Sequence, residues 1–443
     1  MNRLLLSGAA FLGIFWLVDS SLYEALAVAL TVYSFFTFVD RFGHQIALLD
    51  FISFIAALEI LLVPAITYWI FPASMPSEST VYLRYALPAY AAFYVGINCV
   101  VSYSKSNTHE SYIQRASAYL QQRPQTVGTL LPIGLAGFLV KSFAPTMPSF
   151  ASTLPMYCLL TSALYAYYAK HPYRILVICM VISILLFNTI RTGMFGDLFF
   201  WLFLLLMFGA VRRSKPIKSI VKAVAFGFAV AFLLLIQSIK TEYRYHTWGN
   251  SRYERTTDAS LMADLLVDRL THPEKLLTVS HFFTAFVRFN QGIMIGSAMA
   301  KVPTHEAYAG GEVLLSFVYP LVPRVMWPGK PQTGGYENIR RFTTLPQFEN
   351  TSINLSPLGE GYVNFGYGGI LFSFVYGSLL GGCFRYLFYL SHRIPSVILW
   401  LPMLYAGCLT METDLLSTWG SLLNSALFVL VLFGLLKRIG IEL

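Results

Sequence analysis

The chain has 443 residues, 56% hydrophobic, 16% aromatic and only 12% charged, with a formal charge of +9. This balance excludes a disordered segment and an ordinary soluble domain, and a basic excess on such a chain calls first for a topological explanation. In chain order, apolar runs fall near 4–18, 22–39, 46–70, 83–104, 126–143, 150–169, 174–190, 194–211 and 220–238. The first has the look of a signal peptide, but with so many runs behind it an uncleaved span is the expectation. After a long connection, further runs follow near 363–390, 396–412 and 420–436. A bilayer span takes about 20 apolar residues, so the expected fold is an all-α polytopic membrane protein with about 12 transmembrane helices. Its expected parts are an N-terminal bundle over 1–238, a large external and partly membrane-embedded loop over 239–362, and a C-terminal group of helices over 363–443.

The loops test this order. With Arg3 placed in the cytoplasm, alternate loops on that side carry Arg41, Lys105, Arg115, Arg123, Lys170, Arg174, the RRSKPIK cluster, Arg385, Arg393, Lys437 and Arg438. The short loops opposite, FPASMPSEST, APTMPS and METDLLSTWG, have no lysine or arginine, although Arg84, Lys141 and Arg191 stand at span edges on that face. This is the positive-inside pattern, and it predicts cytoplasmic termini and an external long loop. The cysteines Cys99, Cys158, Cys179, Cys383 and Cys408 all lie in apolar runs and read as small buried hydrophobes.

A connection as long as 239–362 calls for a role. Several charges in and near it need a reason. Arg191, in FNTIRTGMFGDLFFW, is a guanidinium close to membrane depth; it snorkels or pairs with Asp197, or it serves a function. Lys240, Arg244, Arg252 and Arg255 alternate with tyrosines in IKTEYRYHTWGNSRYERTTD, which suits an interfacial belt as well as a sugar-phosphate surface. Arg244 is the one closest to the span end. Arg288, in FFTAFVRFNQG, has no acid within a helical turn, so it needs a distant partner or an anionic ligand.

In PRVMWPGKP, prolines shape a loop, Trp327 can anchor it at the interface, and Arg324 and Lys330 offer a fork and a point charge to a phosphate group. Ordinary snorkelling cations on an interfacial turn would look the same. Glu360, between glycines in LSPLGEGYVNFGYGGI, is a candidate general base for a hydroxyl, or a counter-charge for one of the arginines. Gly377 and Gly381 form a small-xxx-small helix-packing pair. Tyr245 and Trp248 have faces that stack on sugars or sit at the membrane interface. The long loop has no DxD, HExxH, Walker or GxSxG pattern, and its histidines show no ligand spacing.

The WPGKP stretch, then L-G-E-x-x-x-N-F-G from Leu358, with embedded arginines and one large external loop, resembles the bacterial Wzy-type oligosaccharide repeat-unit polymerases. These belong to the O-antigen polymerase and ligase superfamily, and the likeness runs best from Arg191 to Gly369. The resemblance implies a C-type glycosyltransferase architecture in the bacterial cytoplasmic membrane. It implies polymerisation of undecaprenyl-diphosphate-linked oligosaccharides on the outer face, without metal or other cofactor. Donor and acceptor would be lipid-linked glycans, with membrane lipids, a chain-length regulator and a flippase as companions and no nucleic acid. Arg191, Arg288 and Arg324 would stabilise the departing diphosphate, with Arg244, Lys330, Tyr245, Trp248 and Trp327 binding pyrophosphate or glycan. The loop histidine of the related ligases has no match here. A ligase, and a lipid-oligosaccharide flippase with internal cations, remain the alternatives.

Overall fold

Backbone polar groups in hydrocarbon must be paired inside the chain, so a sequence this apolar has helices as its economical solution. The computed structural model describes residues 3–18, 20–101, 109–144, 147, 149–211, 217–247, 258–277, 287, 289–322, 326–330, 335–345 and 354–443. Among these residues no strand forms, and the only β-type pairing is an isolated bridge between Phe42 and Gln45.

The helices are α1 (Arg3–Leu17), α2 (Leu22–Arg41), α3 (Leu48–Ala57), α4 (Val63–Ile70), α5 (Ser79–Val100), α6 (His109–Gln121), α7 (Gln125–Phe143), α8 (Ser149–Met156), α9 (Cys158–Tyr168) and α10 (Arg174–Thr192). They continue as α11 (Phe195–Val211), α12 (Ser219–Thr247), α13 (Ala259–Thr271), α14 (Gln291–Lys301), α15 (Tyr336–Phe342), α16 (Pro357–Phe365), α17 (Gly369–Leu390), α18 (Leu401–Leu404) and α19 (Leu415–Arg438). Seven stretches of described helix are long and apolar enough to cross a membrane: Leu22–Arg41, Leu48–Ile70, Gln125–Phe143, Arg174–Thr192, Ile220–Thr247, Pro357–Leu390 and Leu415–Arg438. This is a helical membrane protein.

The difference from the expected dozen has physical reasons. The run at 150–169 divides at Tyr157 into α8 and α9, just after the proline at 155. The run at 396–412 becomes 3-10 turns around the single turn of α18, with Trp400, Leu401 and Tyr405 fully enclosed by protein. Expected span 83–104 is the long α5, whose Tyr82, Tyr85 and Tyr90 are buried against protein. Residues 109–121, read from sequence as loop, form the amphipathic α6 with Ile113, Ala116 and Leu120 turned inward.

Two details set the geometry. α3 runs into α4 through a π-turn over Leu58–Leu62. Pro64 has no N–H to give to the carbonyl four residues before it, Ile60. The Tyr82 hydroxyl donates to that carbonyl instead, at 2.7 Å. The most extensive helix pair is α5 with α17, where glycines let the backbones touch. A Cβ at Gly377 would stand 2.3 Å from the Phe93 carbonyl oxygen, and one at Gly96 would stand 2.3 Å from that of Phe374. The packing role expected for Gly377 and Gly381 is what the helices use them for.

Connections sort the bundle into two ends. At one end, which we call the near end, Arg3 pairs with Asp40, Arg41 with Asp50 and Arg123 with Glu442. There too Arg115 meets His392, Arg385 donates to Val100 and Lys222 to Val39. At the far end Glu24 collects Trp69 and Ser79, Asn290 donates to Thr67, and Gln291 accepts from Ser356. Each end is thus drawn together by side-chain contacts between segments far apart in the chain.

His109 anchors α6 at the near end. It is buried, its Nδ1 accepts the Ile46 N–H at 2.9 Å, and its ring lies 4.5 Å from that of Phe388. Burial first, and Arg41 second, lower its pKa from the ordinary 6.5 to about 4. A base depressed in the folded state binds its proton more readily when unfolded, so stability is complete above the unfolded value and is lost towards the folded one. Thermal denaturation in detergent should show a loss of about 3 kcal/mol between pH 6.5 and 4 from this group, and His109→Gln should remove that share of the slope.

Candidate functional site

α10 stops because Gly193 takes a left-handed conformation at φ 62, where a side chain would be strained. Its N–H returns to Thr189 at 2.8 Å, and α11 begins two residues later. Two of the carbonyls left at this C-terminus are taken by side chains of α12. Arg244 donates to the Gly193 oxygen through Nε at 3.0 Å and Nη2 at 2.8 Å. The hydroxyl of Tyr243 donates to Ile190 at 2.7 Å. A guanidinium at a helix C-terminus meets the negative end of the dipole, so Arg244 holds the turn as well as charging it.

Arg191 lies on the same turn. Its Nη1 donates to the Ser142 carbonyl at the end of α7, at 3.0 Å. Its Nε is buried without a partner. The sequence offered Asp197 as a salt-bridge partner; no ion pair forms between them, although the Asp197 carboxylate and the Lys141 ammonium lie within electrostatic reach of each other. Lys141 also feels Arg191. Lys141, Arg191 and Arg244 thus approach the α10–α11 turn from three helices, with the Asp197 carboxylate within reach of Lys141. Chemically, such a turn suits an anion with several oxygens: guanidinium donors on one side and the N-terminal amides of α11 on the other.

Glu360 stands elsewhere. It lies in the first turn of α16, which Ser356 caps and Pro357 opens. Only 1% of it is exposed. Asn338 donates to Oε1 at 2.7 Å, and the Leu415 N–H donates to Oε2 at 2.6 Å. Leu415 opens α19, so Glu360 satisfies one of the donors that a helix start leaves unpaired. It shares no hydrogen bond or ion pair with Arg191 or Arg244.

The described part of PRVMWPGKP is a tight turn. The Lys330 N–H returns to the Trp327 carbonyl, and its ammonium donates to Val322 at 2.9 Å. Trp327 meets Tyr319 edge to face at 5.3 Å. Tyr245 is 83% exposed beside His246. Arg288, Arg324 and Trp248, together with Arg252 and Arg255, lie outside the described residues. The structure thus brings Arg191 and Arg244 to the same turn and gives Glu360 other partners.

Sequence reasoning passed over four charged groups. Lys141 was visible only as a span-edge cation, and Asp197 only as a partner for Arg191. Arg269, buried on α13, pairs with Glu242 and Asp268 and ties α13 to α12. Glu59 sits on the π-turn with no exposure at all. A lone acid in the run LEILLVP was the available signal for it. Among the described residues, no cluster of three His, Cys, Asp or Glu side chains is placed to hold a metal ion.

A family model described as a domain of unknown function, DUF8712, matches residues 71–382. The chain belongs to the DUF8712 family. No curated protein and no solved structure matches it. The DUF8712 match takes in Lys141, Arg191, Arg244 and Glu360, whereas Glu59 and the turn before α19 fall outside it.

Proposed function

We propose that this protein is a membrane glycosyltransferase. It moves a glycan from a polyprenyl diphosphate carrier to a sugar hydroxyl of another lipid-linked unit, building a surface polysaccharide on the outer face of a bacterial cytoplasmic membrane. The observation that carries this reading is the Arg191 guanidinium, with a buried Nε still to be bonded, beside Lys141 and Arg244. A departing diphosphate gathers negative charge in the transition state, and preorganised cations in a water-poor site stabilise it there.

Membrane sidedness agrees. The near end carries Arg41, Arg115, Arg123, Lys222 and Arg385, which supports a cytoplasmic position for it and for both termini. The α10–α11 turn then faces the outer leaflet. Glu360 enters this reading as a positioning residue that fixes the start of α19, through the hydrogen bonds its oxygens accept from Asn338 and the Leu415 N–H.

Purified protein in liposomes, supplied with polyprenyl-diphosphate-linked repeat units alone, tests the proposal. A ladder of longer lipid-linked glycans is expected. Unchanged units would overturn it: product on adding a different acceptor would mean a ligase, and units moved across the bilayer intact would mean a flippase.

A further inference from the structure

We infer that Glu59 is a proton-binding site inside the bundle, a carboxylic acid that docks the 411–415 turn. This inference is independent of the glycosyl-transfer reading.

Glu59 lies eleven residues from Ile70, which at the ordinary helical rise is about 16 Å in from that end of the α3–α4 helix. It is 0% exposed. One oxygen, Oε2, accepts the Met411 N–H at 2.7 Å. The other, Oε1, is buried and has no hydrogen-bond partner. The titratable group that acts on it is Glu412, on the same turn as Met411, while Tyr82 on α5 reaches the neighbouring Ile60 carbonyl. Glu412 is a second acid, and the Tyr82 hydroxyl is already given to the Ile60 carbonyl. Among the described residues, no lysine, arginine or histidine pairs with Glu59.

The ionised state fails on these contacts. An ionised carboxylate here would have one hydrogen bond, no counter-ion among the described residues and a second acid beside it, in surroundings where an unpaired charge is far too costly. A proton on Oε1 removes that charge from the one oxygen that no hydrogen bond satisfies. The Oε2 carbonyl still accepts from Met411, so the dock is kept. The π-turn is what makes room: it sets Glu59 off the regular helical register next to the chain entering α19.

The test is Glu59→Gln, whose amide is the neutral isostere of the acid. Infrared spectra of wild type and variant in liposomes are subtracted, in H2O and again in D2O. The expected difference is loss of a deuterium-sensitive protonated-carboxyl band, from a variant that stays folded and monodisperse. Loss of carboxylate bands instead would overturn the proposal. So would failure of Glu59→Gln to fold, because a neutral side chain of the same shape should then have been tolerated.

Discussion

Arg191→Ala should lower repeat-unit transfer by about 10²–10³-fold, the usual loss when one preorganised charge donor is removed from a reaction's leaving group. The protein should still reach wild-type levels, because the side chain contributes one bond to a carbonyl at the end of α7 and no ion pair. The liposome ladder assay reads the effect, and Arg191→Lys should restore part of it, since an ammonium keeps the charge but not the fork. Full activity in Arg191→Ala would remove the residue from the site. Arg244 makes a useful contrast. Its Nε and Nη2 already hold the Gly193 carbonyl, so its loss disturbs the turn itself as well as the charge.

The second large effect concerns stability. Gly377→Ala should destabilise the folded protein by about 3 kcal/mol or more, at or above the upper end of ordinary overpacking. The added methyl has backbone, not a flexible side chain, in its way: the Phe93 carbonyl at 2.3 Å and the Ile97 nitrogen at 3.1 Å. Either α5 and α17 move apart along their length, or the variant does not fold. Gly434→Ala on α19 is the control, because nothing lies within 4 Å of its new methyl. There the better helix propensity of alanine should raise the melting temperature slightly. Equal melting temperatures for the two variants would mean that the close helix crossing is not what holds the pair.

What could be read in advance followed from lipid exposure. α2, α7, α10, α12 and α19 announce themselves because hydrocarbon demands apolar side chains on their outer faces. Hydropathy cannot distinguish lipid from protein interior, so the run at 396–412 looked like a span although its Trp400 and Tyr405 are enclosed by other helices. α6 had the opposite fault: its period was helical, but its polarity suggested a loop. At the site, Arg191 and Arg244 each stood out as a cation near a span end, but their meeting at one turn did not. Lys141 comes from α7, and Arg244 reaches the turn from a helix fifty residues further on, which no local pattern encodes. Glu360 was legible as an unusual carboxylate, but its engagement with Asn338 and Leu415 depends on how α15, α16 and α19 pack.

The proline after the π-turn also bears on how the chain enters the bilayer during synthesis. Alone in hydrocarbon, the segment from Leu48 to Ile70 would present a bare carbonyl at Ile60 and a solitary acid at Glu59, each a penalty of several kcal/mol. The first is relieved by a tyrosine 22 residues later, and the second by an amide 352 residues later. This segment is therefore a poor lodger in the membrane until the next helix arrives, and it reaches its final comfort only when almost the whole polypeptide has left the ribosome.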